Sequence, residues 1–293
     1  MVAKFNIILP TYNSGQFIEK CISSINNQTF DDWHLTVIDN FSTDKTVEII
    51  KKKINPEKLK IFFINNNGII AKSRNLGIKN SQSEWIALLD SDDFWHKDKL
   101  FLCNSIINNH VDIIYHDVEI INKVKKNKLV KIGKLKKPII IDLLNKGNVI
   151  YNSSLIIRKN ILLDVGLIDE SKNMISSEDF NLLLKISNIT DKFIYLPKNL
   201  CQYTLHDKNT SKQNFDWSIS ARNAYKKYLH CLDKKTVIKK KIEFLYLKSK
   251  YYLLNKKYNK SFKLWIICFL KGNFKIKCKS LLLIIIYFFK KMK

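Results

Sequence analysis

Residues 85–93 read WIALLDSDD, five apolar residues running into Asp90, Ser91, Asp92 and Asp93. The apolar positions are consecutive rather than alternating, which is the pattern of a strand buried on both faces in a parallel sheet. Three earlier stretches share it: 5–9, closed by Pro10; 33–39 (WHLTVID); and 59–64 (LKIFFI). Helical periodicity fills the intervals at 15–28, 43–54 and 69–80. Ser42-Thr43-Asp44 is the expected N-cap of the second helix, and Gly77 and Asn80-Ser81 fall near the end of the third. This alternation predicts an α/β fold, a Rossmann-like and mostly parallel sheet flanked by helices and joined by right-handed crossovers.

Farther along the pattern loosens. Strands are expected at 111–115, 117–121, 154–157 and 193–196, the last ending before Pro197. Helices are expected at 161–165, 179–189 and 97–108, and a lysine-rich loop or hairpin at 123–137. After 213 the periodicity is helical, at 217–232, 237–254, 258–270 and 276–289. By pattern, then, the chain divides into an α/β domain, 1–212, and a C-terminal helical appendage, 213–293.

Charge follows the same division. Residues 1–110 carry 13 Lys and Arg against 12 Asp and Glu, whereas 211–293 carry 22 against 3, or +19 of the chain's +25. A coding bias toward Lys, Asn and Ile explains abundant lysine but not the loss of acids, so the basic tail points to an anionic partner. The six cysteines lack zinc-ligand spacing, and the apolar run at the N-terminus is too short for a signal peptide. Free thiols in a reducing cytoplasm are expected.

Ligands of open parallel sheets bind beyond the carboxyl ends of the strands. Three polar groups stand there: Pro10-Thr11-Tyr12-Asn13, Asp39-Asn40, and Asp90-Ser91-Asp92-Asp93. One aspartate suffices to cap a following helix. Three carboxylates in four residues repel one another unless a hard cation, Mn2+ or Mg2+, sits among them and bridges to phosphate oxygens.

Four stretches in order carry a resemblance to family 2 glycosyltransferases of the GT-A fold: IILPTYN at 7–13, VIDNFSTDKT at 37–46, the run from Asn65 to Asp93, and the acids Glu178-Asp179. The resemblance covers about residues 3–210 and implies a role for each matching position. Pro10, Thr11 and Tyr12 would line the nucleotide site, and Asp39 would hydrogen-bond the base, usually uracil. Arg74 would lie near the sugar diphosphate, with Asp90 and Ser91 beside it. Asp92 would be the firmest metal ligand, with Asp90 helping. Asp179 would be the general base, with Glu178 second, for inverting transfer of a sugar from a nucleotide-sugar, UDP-linked, to an acceptor hydroxyl. The chain departs from the family where Asn40 and Phe41 stand in place of Asp and Gly.

Several positions keep two readings. Glu178-Asp179 is also ordinary acidic bias in the first turn of a helix. His206, in CQYTLHDKNTS, is a third metal ligand, a diphosphate contact or a packing residue. Asn67-Gly68 lets backbone approach the nucleotide or is a plain turn, and Trp95 is an acceptor-side aromatic or core. Residues 281–289 (LLLIIIYFF) make a helix of about 14 Å, too short for a bilayer core of about 30 Å. They form either a last core helix or, within 273–293, a contact with anionic lipid on the inner face of the membrane. The acceptor expected by analogy is a lipid-linked or cell-surface glycan. A nucleotidylyltransferase would need a Gly-rich phosphate loop after the first strand, where 10–15 has none. A non-enzymatic nucleic-acid binder would leave the N-terminal motifs unexplained, so no nucleic-acid partner is expected.

Overall fold

The computed structural model describes residues 2–122, 126–207, 209 and 216–291. Seven consecutive buried residues form β1 (Phe5–Thr11). The amphipathic helix α1 (Gly15–Asn26) follows, covering the sheet with Ile18, Cys21, Ile22 and Ile25. The alternation continues through β2 (Trp33–Asp39), α2 (Thr46–Lys53), β3 (Leu59–Phe63), α3 (Ile70–Asn80) and β4 (Trp85–Leu88). These four strands are parallel, in the order β3-β2-β1-β4. The register pairs Thr11 with Asp39 and Asp39 with Phe63, so the strands finish in one row. Leu89 donates its N–H to Ile8 O, which brings Asp90 to the same edge.

α3 ends at Asn80 with Ser81 as its cap residue, as expected, and Gly77 does not itself end the helix. A Cβ there would come within 2.7 Å of Ile38 and 2.9 Å of Ile8, so glycine is what lets the helix lie close on β2 and β1. Nor does the Ser42-Thr43-Asp44 stretch supply the α2 cap residue, which is Lys45; Asp44 instead accepts from Thr46 N–H and Gly15 N–H, joining the starts of two helices.

Past Asp93 the sheet becomes mixed. The next elements are β5 (Phe94–Trp95), α4 (Lys99–Asn104), β6 (Ile113–Asn122), β7 (Lys128–Val130), α5 (Ile139–Lys146), β8 (Ile156–Arg158), α6 (Lys159–Asp164), α7 (Glu178–Ser187) and β9 (Phe193–Leu205). They extend the sheet as β4-β8-β6-β9-β5, with β7 paired to β6 in the expected lysine-rich hairpin; residues 123–125 lie outside the described residues. The two strands expected at 111–115 and 117–121 are one, β6. The strand expected to stop at Leu196 runs on to Leu205, because the register with β6 shifts around Asp117 and leaves Pro197 out of the ladder it cannot donate to. That continuation, pairing Phe94 with Gln202 and Trp95 with Cys201, returns the chain to the acidic strand end.

The chain divides into two compact units, 1–170 with 178–207, and 171–177 with 208–293. The boundary expected at 212 lies outside the described residues. The second unit holds α8 (Trp217–Lys226), α9 (Lys234–Leu254), α10 (Tyr258–Lys271) and α11 (Phe274–Lys291). Its small core joins Ile242, Cys268 and Ile276, and Phe262 stacks on Tyr287 between α10 and α11. All six cysteines are free.

Candidate active site

The first wall of the site is the row of strand ends. Asp39 is fully buried. Its carboxylate accepts from Thr11 Oγ1 at 2.8 Å, Ser42 Oγ at 2.6 Å and Ser42 N–H at 2.7 Å. Asn13 stitches the neighbouring loop to this one, giving its N–H to Ser42 Oγ and taking Thr43 N–H on its side chain. Tyr12 points to solvent. Asn67 and Gly68 both have positive φ, at 52° and 75°, and form an exposed turn before α3.

At the centre is Arg74, buried on α3. It donates to Asp90 Oδ1 at 2.7 Å and lies 3.4 Å from Glu178 Oε1 at the start of α7. Burial works against its charge, but Asp90 and Glu178 outweigh that and hold the guanidinium more firmly protonated than usual. Its Nε meets no acceptor among the described residues. Next to Glu178, half-buried Asp179 accepts from Asn148 Nδ2 at 2.8 Å and from Phe180 N–H at 2.7 Å. Burial raises its proton affinity above the ordinary carboxylate range.

The acids after β4 have separate partners. Ser91 Oγ lies 2.7 Å from Ser14 Oγ. Asp92 Oδ2 lies 2.8 Å from His206 Nε2, whose ring stacks on Phe17 at 4.6 Å. Burial, reinforced by Asp90, raises the proton affinity of Asp92. Asp93 is fully buried and ties the site together, accepting from Ser153 Oγ at 2.5 Å and Thr204 N–H at 3.0 Å. Burial first, then Asp92 and Asp90, push its proton affinity far up. Asp93 does not cap α4, whose cap residue is Asp98. Trp95 is buried and donates to Ser153 O at 2.9 Å, so it belongs to the core.

Sequence reasoning missed two residues. Ser153 receives Asp90 N–H, donates to Asp93, and offers its carbonyl to Trp95 and to Lys99 Nζ at 2.6 Å. Lys99 is fully buried, and burial pulls its ammonium down to about 8. Neither carries a local signal: an Asn-Ser-Ser stretch and a single lysine in a lysine-rich chain read as surface.

Among the described residues no three His, Cys, Asp or Glu side chains stand together as a metal site. Asp90 Oδ1 accepts from Arg74, and Asp92 lies beside His206. The donor chemistry still fits a hard divalent cation. Burial, and after it the neighbouring carboxylates, raise the proton affinity of Asp92 and Asp93, and a cation beside them would offset that repulsion. Carboxylate oxygens with one imidazole suit Mn2+ or Mg2+.

The chain resembles known proteins in sequence and in fold. The family model "Glycosyl transferase family 2" matches residues 6–168. An uncharacterized glycosyltransferase of Haemophilus influenzae is 37% identical over 121 residues, 39% of this chain and 48% of that protein. The poly(ribitol-phosphate) beta-N-acetylglucosaminyltransferase TarS of Staphylococcus aureus is 34% identical over 110 residues, 36% of this chain and 19% of TarS. The chain thus spans about half, or less, of the length of these curated relatives. A crystal structure of TarS 1–349 in complex with UDP-GlcNAc matches with a TM-score of 0.71 and 21% identity, over 91% of this chain and 80% of that one. The mannosyltransferase PcManGT from Pyrobaculum calidifontis, in complex with GDP-Man and Mn2+, matches at 0.59 and 15%, over 95% and 78%. At such identities the likeness is one of fold, the GT-A fold that the resemblance to family 2 implied.

Proposed function

The chain belongs to glycosyl transferase family 2, and from that premise we propose that it moves a sugar from a UDP-linked donor to a hydroxyl of a glycan or lipid-linked acceptor, with inversion at the anomeric carbon. One observation carries the reading: Arg74 contacts Asp90 and Glu178 together, so the strand-end acids and the helix acids form one cluster. The phosphate-facing and acceptor-facing parts of such a site then adjoin.

The residues divide the work. Pro10, Thr11, Tyr12, Asp39 and Asn67 form the nucleotide end, and Arg74, Asp90 and Ser91 the sugar-diphosphate end. Asp179 takes the acceptor hydroxyl proton as the new C–O bond forms and the bond to the diphosphate breaks. Its raised proton affinity makes it a stronger base than an ordinary aspartate. Asp92 and His206, with Asp90, would hold Mn2+ or Mg2+. A divalent cation, when bound, supplies neutralisation of charge growing on the departing diphosphate. UDP as donor nucleotide is supported by the UDP-GlcNAc complex of TarS, and a divalent metal by the Mn2+ complex of PcManGT. The test is release of UDP from a panel of UDP-sugars with and without Mn2+. Metal-dependent release is expected, and its absence for every sugar would remove the UDP donor.

For the C-terminal unit the reading is peripheral attachment to the inner face of the cytoplasmic membrane. On α11 the exposed residues Phe274, Cys278, Leu281, Leu282 and Ile285 recur every three or four positions, opposite the buried Ile276 and Ser280. Phe274 is 84% exposed, and on α10 Leu270 is 64% exposed. Lys275, Lys277 and Lys279 flank this apolar stripe. No described helix is long and apolar enough to cross a membrane, so the stripe would lie along anionic headgroups.

A further inference from the structure

Phe41 holds a backbone conformation that disfavours a bulky side chain. Its φ is 55°, in the left-handed region that glycine enters freely and other residues avoid. The flanking residues keep it there. Asp39 accepts from both the N–H and the hydroxyl of Ser42. Asn40 gives its N–H to Thr11 O and accepts Asn66 N–H on its side chain. With both neighbours pinned, the phenyl ring projects outward, 59% exposed, against Phe63, which is 50% exposed. The two ring centroids lie 5.9 Å apart with 27° between the planes. Tyr12, 60% exposed, follows β1. Three exposed aromatics therefore stand at the carboxyl ends of the adjacent strands β1, β2 and β3.

Folding alone does not favour this arrangement, since it strains a backbone and leaves apolar rings in water. The gain is a flat aromatic surface beside Asp39. An ionised carboxylate has about four acceptor positions. Three donors already occupy Asp39, so little remains for reading a base by its edge. We propose that Phe41, backed by Phe63, is the stacking platform for the nucleobase of the donor, and that the base is held chiefly through its π-face. This deepens the donor-site reading above and rests on it. Every base has a π-face, so stacking tolerates purines as well as pyrimidines.

Isothermal titration in the presence of Mn2+ tests it, with UDP, GDP and inorganic pyrophosphate as probes of the wild type, Phe41→Gly and Phe63→Ala. Glycine suits the φ of position 41, so Phe41→Gly removes the ring without straining the loop. The wild type is expected to bind UDP and GDP within about tenfold of each other. Phe41→Gly should weaken both by about 5- to 100-fold and leave pyrophosphate unchanged, with a smaller loss in Phe63→Ala. Unaltered nucleotide affinity in both variants overturns the platform, as does an equal loss for pyrophosphate, which would mark damage away from the base. A wild type that binds neither nucleotide overturns the donor-site reading itself, and the platform with it.

Discussion

His206 Nε2 and Asp92 Oδ2 share a hydrogen bond of 2.8 Å across 114 residues of sequence. The pair brings the last strand back to the acids that follow β4, and it defines the proposed metal site more sharply than the acids alone. Asp92→Asn should lower kcat/KM by about 10²- to 10³-fold, the range for losing one charge-stabilising group. His206→Ala should weaken Mn2+ binding by about 10- to 100-fold, measured by titration against UDP release. An unchanged Mn2+ dependence in His206→Ala would confine this residue to packing on Phe17.

Asp93 should behave differently from its neighbour. It accepts from Ser153 and Thr204 inside the protein, so Asp93→Ala leaves two buried donors without their acceptor. A loss of about 1–3 kcal/mol is expected, or about 2–4 °C in melting temperature per kcal/mol for a chain of this size. Thermal denaturation of Asp93→Ala and Asp92→Asn side by side separates the two roles: the first should melt earlier, the second close to wild type.

Asp179→Asn should keep nucleotide binding and lose transfer by about 10²- to 10⁴-fold, the usual contribution of a general base. The base acts deprotonated, and burial raises the folded-state proton affinity of Asp179. Activity should therefore fall as pH drops through a value above the ordinary aspartate pKa of about 3.9. A kcat/KM profile whose acid limb lies at or below that value would point to another base.

Removal of 273–293, or the double change Phe274→Glu and Leu282→Glu, should abolish flotation with anionic liposomes while leaving UDP release intact. Binding by the full chain should fall with added salt, because lysine–headgroup attraction is screened within about 10 Å at 0.1 M. Equal flotation by the full and shortened forms would return α11 to the role of a core helix.

What the sequence determined by itself was the parallel half of the sheet and the acids at its edge. Runs such as 5–9 and 85–89 are apolar at every position because both faces are covered, and the residue that ends such a run must face the ligand edge. Those are local facts, carried by neighbours in the chain. Only the tertiary structure decided how the acids are shared out: Asp93 to Ser153 and Thr204, Asp92 to His206, Asp90 with Glu178 to Arg74, and Asp39 to Thr11 and Ser42. Most of these partners lie far apart in sequence, and two, Thr204 and His206, arrive where β9 runs on past Pro197 with a shifted register against β6. Periodicity records which face of an element is buried, and it holds no information on which distant polar atom arrives there.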